Sequence, residues 1–369
     1  MNGGGIEAHC PTETRRRGTY TANLLGNIRS HLAGLQGYDV MALELIQNAD
    51  DAGAEEVAFD ITDEGLLVRN SGEFSYCGDL NTNPCAHSAT SGLDCDYHRI
   101  VDVGSGGKLL QSENIGRFGI GFLSTYQVCD HPQIRSAGIR LTLVPELREW
   151  IVEEPYEPGG TTLFLPWARD PASPTRRALR VSHVVSSHID RMLDDIVRVL
   201  RHSLLFLRHV CKAVVRRDGA LVLGCELDRA EGSDLKVSFR PSGETERWKI
   251  LRADAADASR SLYAQHPQLA PLGRSTEVGI GLRVEPALLS EGRLYAFLPT
   301  EQPTGLPLHI NGDFFPESDR KHLIFAGHQH EQAWNEMLVE VAAEEIARDP
   351  EGLFDMLGHA QLWELLGKA

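Results

Sequence analysis

The amino-acid sequence predicts an α+β fold, in which a mixed sheet is covered by helices and a second α/β region follows the first. Apolar residues at three-to-four spacing predict helices within 20–36, 43–54 and 181–205. Short apolar runs bounded by Gly, Asn, Asp or Pro predict strands. These runs are 57–61, 66–68, 139–144, 150–152, 162–165, 213–216, 221–225, 235–239 and 293–299.

The domain organisation follows from length and from one proline-rich stretch. A chain of 369 residues is too long for one ordinary core, which predicts two domains. The stretch 166–174 carries three prolines and predicts the boundary between them. We therefore expect a flexible leader over 1–18, domains over 19–166 and 171–345, and a C-terminal helix over 346–369.

Composition and charge exclude several classes of protein. The apolar fraction of 42% and the charged fraction of 24% are typical of soluble globular proteins. The net charge of −16 repels phosphates, so we expect no nucleic-acid partner. We expect no membrane span, since no apolar run is long enough, and no signal peptide at the N-terminus. Seven cysteines without a signal peptide favour free thiols in the cytoplasm.

The stretch 43–54 combines an apolar helical stripe with a polar one. Glu44, Asn48 and Asp51 are spaced by four and then three residues, which places all three on one helix face. Asn48 is suited to ligate Mg²⁺, and Glu44 is suited to take a proton from a water that attacks phosphate. The alternative is a solvated helix face that ends at Gly53.

A second stretch, 114–129, places three glycines ahead of an apolar run. Gly116, Gly119 and Gly121 allow close approach of backbone to a ligand, and the helix predicted to start near Phe122 offers N–H groups to phosphate. The pattern is not a P-loop, because no Gly-Lys-Ser/Thr follows, and no clear strand precedes it as in a Rossmann fingerprint. Ordinary turns are the alternative.

Together, 44–52 and 116–122 resemble the first and last nucleotide boxes of the GHKL superfamily. That superfamily comprises gyrase B, the ninety-kilodalton heat-shock chaperones, histidine kinases and MutL proteins. The chain most resembles the chaperone branch and, within it, the sacsin-type repeats. The resemblance implies a Bergerat-type α/β sandwich over 19–166, with ATP and Mg²⁺ as cofactors. It also implies roles for individual residues: Glu44 in catalysis, Asn48 on Mg²⁺, and Asp51, Gly116, Phe118, Gly119, Gly121 and Phe122 on the nucleotide.

The adenine end of the implied pocket departs from the superfamily pattern. Gly160-Thr161, entering a strand, resembles the late threonine that holds adenine through water. Asn70, followed by Gly72, stands where the superfamily has an adenine-reading aspartate. An amide oxygen accepts the same hydrogen bond without a charge. The resemblance further implies a lid over about 75–113, in which Lys108 reaches a terminal phosphate. Solvent exposure of Lys108 is the alternative.

A late stretch supplies a candidate for a second catalytic group. Residues 304–325 resemble a sacsin pattern in the middle, transducer-like domain, where an arginine loop reaches back to the γ-phosphate. Carried over, Arg320 is the catalytic candidate and Lys321 the second choice. A planar guanidinium suits phosphate recognition and neutralises charge on the transferred phosphoryl group. A surface turn over 317–321 is the alternative.

Four possible metal ligands lie within the predicted lid. Cys77, Cys85, Cys95 and His98 have the spacing C-x7-C-x9-C-x2-H, and such a set is able to hold zinc tetrahedrally. Only the last pair has a common zinc spacing. The alternative is three buried thiols with His98 and the nearby His87 on the surface.

These observations predict an ATP-binding module with slow, Mg²⁺-dependent hydrolysis that drives lid closure, as in a chaperone. The resemblance implies a protein client or partner chain and an ATP-dependent homodimer. Two alternatives remain open: a nucleotide-binding regulatory domain with little hydrolysis, and a DNA-clamp ATPase, which the acidic charge disfavours.

Overall fold

The computed structural model describes residues 23–82, 84–92, 94–102, 121–154, 159–229, 234–327 and 329–367. Its α-helices in these ranges are α1 Leu24–Leu32, α2 Tyr38–Asp51, α3 Ser88–Ser91, α4 Asp96–Asp102, α5 Pro174–Leu179, α6 Ser186–Ser203, α7 Ala256–Gln265, α8 Gln329–Arg348 and α9 Pro350–Leu366. Short 3-10 helices cover Gly121–Gln127, Leu204–Phe206 and Pro267–Leu272.

The strands in the same ranges form one mixed sheet. They are β1 Glu56–Ile61, β2 Gly65–Asn70, β3 Gln133–Ser136, β4 Ile139–Val144, β5 Glu149–Glu153, β6 Thr161–Pro166, β7 Lys212–Arg217, β8 Ala220–Arg229, β9 Asp234–Arg240, β10 Thr245–Asp254, β11 Glu277–Glu285, β12 Arg293–Ala296, β13 Leu298–Pro303 and β14 His309–Asn311. Their order is β13-β12-β14-β11-β10-β9-β8-β7-β1-β2-β6-β3-β4-β5. The predicted α+β class, a mixed sheet covered by helices, is confirmed.

The sheet runs through the predicted domain boundary. Strand β1 pairs in parallel with β7 from Glu56↔Lys212 to Ile61↔Arg217, so strands before and after 166–174 share one hydrogen-bonded ladder. The buried core on this part of the sheet likewise draws on residues from both sides of the boundary. The division at 166–171 remains a prediction.

Several predicted elements differ in detail from those observed. The strand expected over 293–299 is a tight hairpin, because Phe297 lies at φ +64° and reverses the chain between β12 and β13. The run after Gly121 is a 3-10 helix rather than an α-helix. The C-terminal segment forms α8 and then α9, which is broken at Gly358 with φ +70°. Strands β10 and β11 were not predicted, although apolar residues alternate along β11 at Val278, Ile280, Leu282 and Val284.

Helix α2 is fixed on the sheet by its apolar face. Met41, Ala42, Ile46 and Ala49 are fully buried in the same core as Phe59 of β1. Burying each larger side chain contributes roughly 1.5–3 kcal/mol. Because this face is held in the core, the opposite polar face of α2 has a defined position.

A buried carboxylate ties α2 to the second half of the chain. Asp50 is 3% exposed and accepts hydrogen bonds from the backbone N–H groups of Arg208 (3.1 Å), His209 (2.7 Å) and Val210 (2.9 Å). These residues lie just before β7. The contact therefore sets the register between the end of α2 and the start of that strand.

Across the part of the chain that the structure describes, every helix falls short of the length and apolarity needed to cross a lipid bilayer.

The Asp50 contact predicts a stability defect. Asp50→Asn replaces a charged acceptor of three N–H groups with a neutral amide, so we expect the free energy of unfolding to fall by about 2 kcal/mol. Urea unfolding measures the change. Asp63→Asn, at an exposed turn, is the matched control and is expected to stay within about 0.5 kcal/mol of wild type. Equal stability of the two variants would contradict the assignment.

Candidate functional site

The polar face of α2 carries the three residues predicted from its spacing. Glu44 and Asn48 are half-buried and Asp51 is exposed. The Asp51 carboxylate accepts a hydrogen bond from Gln47 Nε2 at 3.3 Å. Among the described residues no hydrogen bond to the Asn48 side chain is found.

Gly121 lies against the Glu44 carboxylate. A Cβ atom built on Gly121 would stand 1.7 Å from Glu44 Oε2 and 2.4 Å from Cδ, so no other residue fits without displacing the carboxylate. Phe122, the next residue, is buried in the sheet core. The 3-10 helix Gly121–Gln127 packs on α2, which fixes this close approach.

The remaining residues of the glycine stretch lie outside the described ranges. These are Gly116, Phe118 and Gly119, together with Lys108 of the predicted lid. Their predicted roles stay predictions.

Arg320 reaches Glu44 from the far end of the sequence. Its Nε lies 3.3 Å from Glu44 Oε1, and the two side chains are 32% and 15% exposed. The loop that carries Arg320 is closed by a bridge between Pro316 and Leu323, and Arg320 itself has φ +61°. The structure thus brings together Glu44, Gly121 and Arg320, which come from three separate stretches of the sequence.

A second ion pair holds the same loop on the start of α2. Lys321 Nζ lies 2.7 Å from Asp39 Oδ2 and 3.2 Å from Glu301 Oε1. Arg198 of α6 approaches Asp39 at 3.5 Å. Lys321 therefore serves as an anchor beside Arg320 rather than as a group directed at Glu44.

Asp39 and Lys321 each shift the pKa of the other. Burial alone would raise the pKa of the Asp39 carboxyl, but its hydrogen bond and charge contact with Lys321 outweigh burial and hold that pKa below its ordinary value. Burial alone would lower the pKa of Lys321, but the Asp39 and Glu301 carboxylates raise it. The pair is therefore ionised at neutral pH.

Asn70 and Thr161 are neighbours at the predicted adenine end. They are paired in register between β2 and β6. Asn70 Oδ1 accepts a hydrogen bond from the Gly72 N–H at 3.0 Å, and the hydroxyl of buried Thr161 lies 2.8 Å from Ser136 Oγ. An amide oxygen has two lone pairs, so the turn occupies only part of the capacity of Asn70.

Gly72 brings this turn to the end of α2. A Cβ atom at Gly72 would lie 2.7 Å from the carbonyl oxygen of Ala52, which closes α2. The absent side chain allows the backbone contact. One helix therefore carries Glu44 near its middle and meets the Asn70 turn at its end.

The four predicted metal ligands also lie together. The ligand atoms of Cys77, Cys85, Cys95 and His98 all fall within 4.8 Å of one another. His98 is 4% exposed, so the alternative that placed it on the surface is wrong. The side chain of His87, at the start of α3, is not one of the grouped ligand atoms.

Sequence reasoning missed Asp39 and Asp50. Asp50 lies four residues after Ile46, inside the apolar stripe of α2, and a carboxylate at such a position signals a buried partner. Asp39 lies in the first turn of α2, where an acidic residue favours the helix dipole, and that local explanation hides its ion pair with Lys321.

Comparison with known proteins agrees with the boxes quoted from the sequence. Residues 21–153 match the family model described as the Sacsin domain. The resemblance to sacsin-type repeats that the sequence predicted is thus confirmed over these residues.

Two curated relatives extend the match beyond this domain. Protein NO VEIN of Arabidopsis thaliana is 28% identical over 332 residues, which cover 80% of this chain and 10% of that protein. Sacsin of Homo sapiens is 23% identical over 393 residues, which cover 81% of this chain and 8% of that protein. The chain therefore spans about a tenth or less of the length of these relatives.

Two solved structures show a weaker likeness. The N-terminal domain of a DNA repair protein has a TM-score of 0.47 at 12% identity and covers 89% of this chain and 99% of that one. The ATPase domain of the mismatch repair endonuclease MutL from Aquifex aeolicus has a TM-score of 0.37 at 11% identity, covering 81% and 95%. Likeness at this level supports no inference about function.

The Asp39–Lys321 pair predicts a pH-dependent stability term. We expect the free energy of unfolding of wild type to exceed that of Asp39→Asn by about 2 kcal/mol at neutral pH. The Asp39 contribution is present above its unfolded pKa and is lost as the pH falls below 3.8 through the lowered folded pKa. The Lys321 contribution is complete below 10.5 and is lost as the pH rises through the raised folded pKa.

Urea unfolding of wild type and Asp39→Asn over a series of pH values measures this difference. Asp228→Asn, on an exposed position of β8, is the control and should follow wild type at every pH. A difference between wild type and Asp39→Asn that stays constant from acid to alkaline pH would show that the pair contributes no titratable stability.

Proposed function

We propose that this chain binds ATP with Mg²⁺ and hydrolyses it slowly, and that hydrolysis drives closure of the segment around 75–113 in a chaperone-like module. One observation carries the proposal: Arg320, from a loop late in the chain, contacts Glu44 beside Gly121. A base, a close-approach glycine and a guanidinium in one place are the parts that phosphoryl transfer to water requires.

The residues present fit a nucleotide with a divalent cation. Asn48 offers an oxygen ligand on the same helix face as Glu44, and Mg²⁺ needs few protein ligands because it keeps several waters. Glu44 would take the proton of the attacking water. The missing Cβ of Gly121 leaves its backbone open to a phosphate oxygen.

The other end of α2 would receive the base of the nucleotide. Asn70 and Thr161 are adjacent in the sheet, and Gly72 brings their turn to the last residues of the helix. Asp51, exposed at that end, would line the opening. Because Asn70 carries no charge and already accepts one hydrogen bond, we expect weak affinity and limited preference for adenine over guanine.

A second candidate function is nucleotide binding with little hydrolysis, as in a regulatory domain. The observation that favours it is that the Arg320 guanidinium lies 3.3 Å from one oxygen of Glu44, where it competes with a water for that oxygen. In this case movement of the 316–323 loop would be the switch that frees Glu44.

The partners proposed for the module follow from the same reasoning. A protein client or partner chain would couple to the loop, and an ATP-dependent homodimer would form as the lid closes. The free cysteines of the described residues agree with the cytoplasmic location that we propose. A DNA-clamp role is disfavoured by the net charge of −16, and stimulation of turnover by DNA would restore it.

The first test replaces the proposed base. Glu44→Gln keeps the size of the side chain but removes its basicity, so we expect single-turnover ATP hydrolysis to fall about a hundredfold. Nucleotide binding, measured by calorimetry with Mg²⁺ present, should change little. Glu55→Gln, at an exposed position just beyond α2, is the matched control and should hydrolyse as wild type does. Unchanged turnover in Glu44→Gln would reject Glu44 as the base.

The second test separates the two candidate functions. If Arg320 stabilises charge on the transferred phosphoryl group, Arg320→Ala should lower single-turnover hydrolysis at least about tenfold. If Arg320 instead holds Glu44 away from water, the same variant should hydrolyse faster than wild type. Arg252→Ala, which removes an exposed guanidinium paired with Glu277 on the sheet, is the control. Turnover equal to the control would exclude Arg320 from both roles.

A further inference from the structure

We propose that Cys77, Cys85, Cys95 and His98 hold one structural zinc ion beside the adenine end of the candidate site. Three of the four residues are at least 95% buried, and Cys77 is half-buried. The cluster lies in the loop before α3 and on α4, outside the set Glu44, Gly121 and Arg320. The inference does not depend on nucleotide binding.

The distances approach those of a tetrahedral site. His98 Nδ1 lies 3.3 Å from Cys77 Sγ and 3.3 Å from Cys95 Sγ, and no two ligand atoms are more than 4.8 Å apart. Zn–S bonds of ~2.3 Å and Zn–N bonds of ~2.0 Å place tetrahedral ligands about 3.6–3.8 Å apart. A contraction of about 1 Å in the widest pair therefore completes the geometry.

The tautomer of His98 leaves the lone pair of Nδ1 available to bind a metal ion. Its Nε2 lies 2.9 Å from the carbonyl oxygen of Thr82, and a carbonyl oxygen only accepts, so Nε2 carries the proton. Nδ1 then presents its lone pair to the sulfurs. A backbone carbonyl on the outer nitrogen of a histidine ligand is the usual arrangement in zinc sites.

The thiols also have hydrogen-bond partners without a metal. Cys77 Sγ lies 3.2 Å from the carbonyl oxygen of Asp79 and 3.3 Å from His98 Nδ1, and Cys95 Sγ lies 3.3 Å from the same nitrogen. A cation at the centre satisfies all four groups at once. The backbone N–H groups of Cys95 and His98 also donate to Cys85 Sγ (3.4 Å) and Cys95 Sγ (3.5 Å), as expected around thiolate ligands.

The surrounding contacts hold the ligands in register. Ser75 Oγ donates to Asp96 Oδ2 at 2.7 Å and accepts from the Asp96 N–H at 3.0 Å, which fixes the loop carrying Cys77 against α4. The Tyr97 hydroxyl donates to the carbonyl oxygen of Ser136, whose side chain contacts Thr161. A bound zinc ion would thus stabilise the residues that contact Thr161.

The experiment measures zinc in the whole chain, purified under reducing conditions without added metal or chelator. We expect about one zinc per chain by mass spectrometry of the metal, released by a mercurial that modifies thiolates. The zinc content per chain of Cys95→Ser and of His98→Gln should each be at least about fivefold lower than that of wild type. Cys211→Ser and His87→Gln, which change the same residue types outside the cluster, should retain it.

A second measurement remains decisive if the ligand variants fail to fold. Wild type stripped of metal and titrated with Co²⁺ should develop the visible absorption of tetrahedral cobalt with thiolate ligands, and Zn²⁺ should displace it and raise the melting temperature. Reduced wild type that contains no zinc and binds no Co²⁺ would overturn the proposal. Zinc lost equally from the control variants would do the same.

Discussion

The arrangement of the molecule depends on one close approach, that of the Glu44 carboxylate to the backbone of Gly121. With 1.7 Å between Oε2 and the place where a Cβ would stand, the contact exists only because residue 121 is glycine. The same carboxylate meets Arg320 on its other oxygen. Because one carboxylate contacts both the Gly121 position and the Arg320 guanidinium, the helix, the glycine and the late loop constrain one another.

Helix α2 connects these contacts because its two faces have different roles. Its apolar face is fully buried on the sheet, and Asp50 on that side accepts three backbone N–H groups from the segment before β7. Its polar face presents Glu44 and Asn48. Since the buried face cannot rotate without breaking the Asp50 contacts, the polar residues are held in place by groups that take no part in any chemistry.

Local pattern was enough to predict much of this molecule, and the limits of the prediction are physical. The spacing of Glu44, Asn48 and Asp51, the hairpin of β1 and β2, and the cysteine–histidine spacing are all features of short segments, and the structure places their residues as the spacing requires. The resemblance suggested only that Arg320 reaches the γ-phosphate. Its contact with Glu44 was not predicted, because no periodicity connects residues so far apart in sequence.

The features that escaped prediction share a cause. Lys321 pairs with Asp39, and Asp50 binds backbone at 208–210, so each interaction is defined by a partner that local sequence does not indicate. The reversal at Phe297 is equally hidden, since a positive φ at a phenylalanine has no sequence signal.

The parallel ladder between β1 and β7 has a mechanical consequence. Six residue pairs join the strand beside α2 to the first strand of the later region, so the two halves are not connected by a hinge at the proline-rich stretch. A rotation of one half against the other would have to shear that ladder. A change at Glu44 would therefore be accommodated by the 316–323 loop, which contacts Glu44 through Arg320, and not by rotation of the two halves about 166–174.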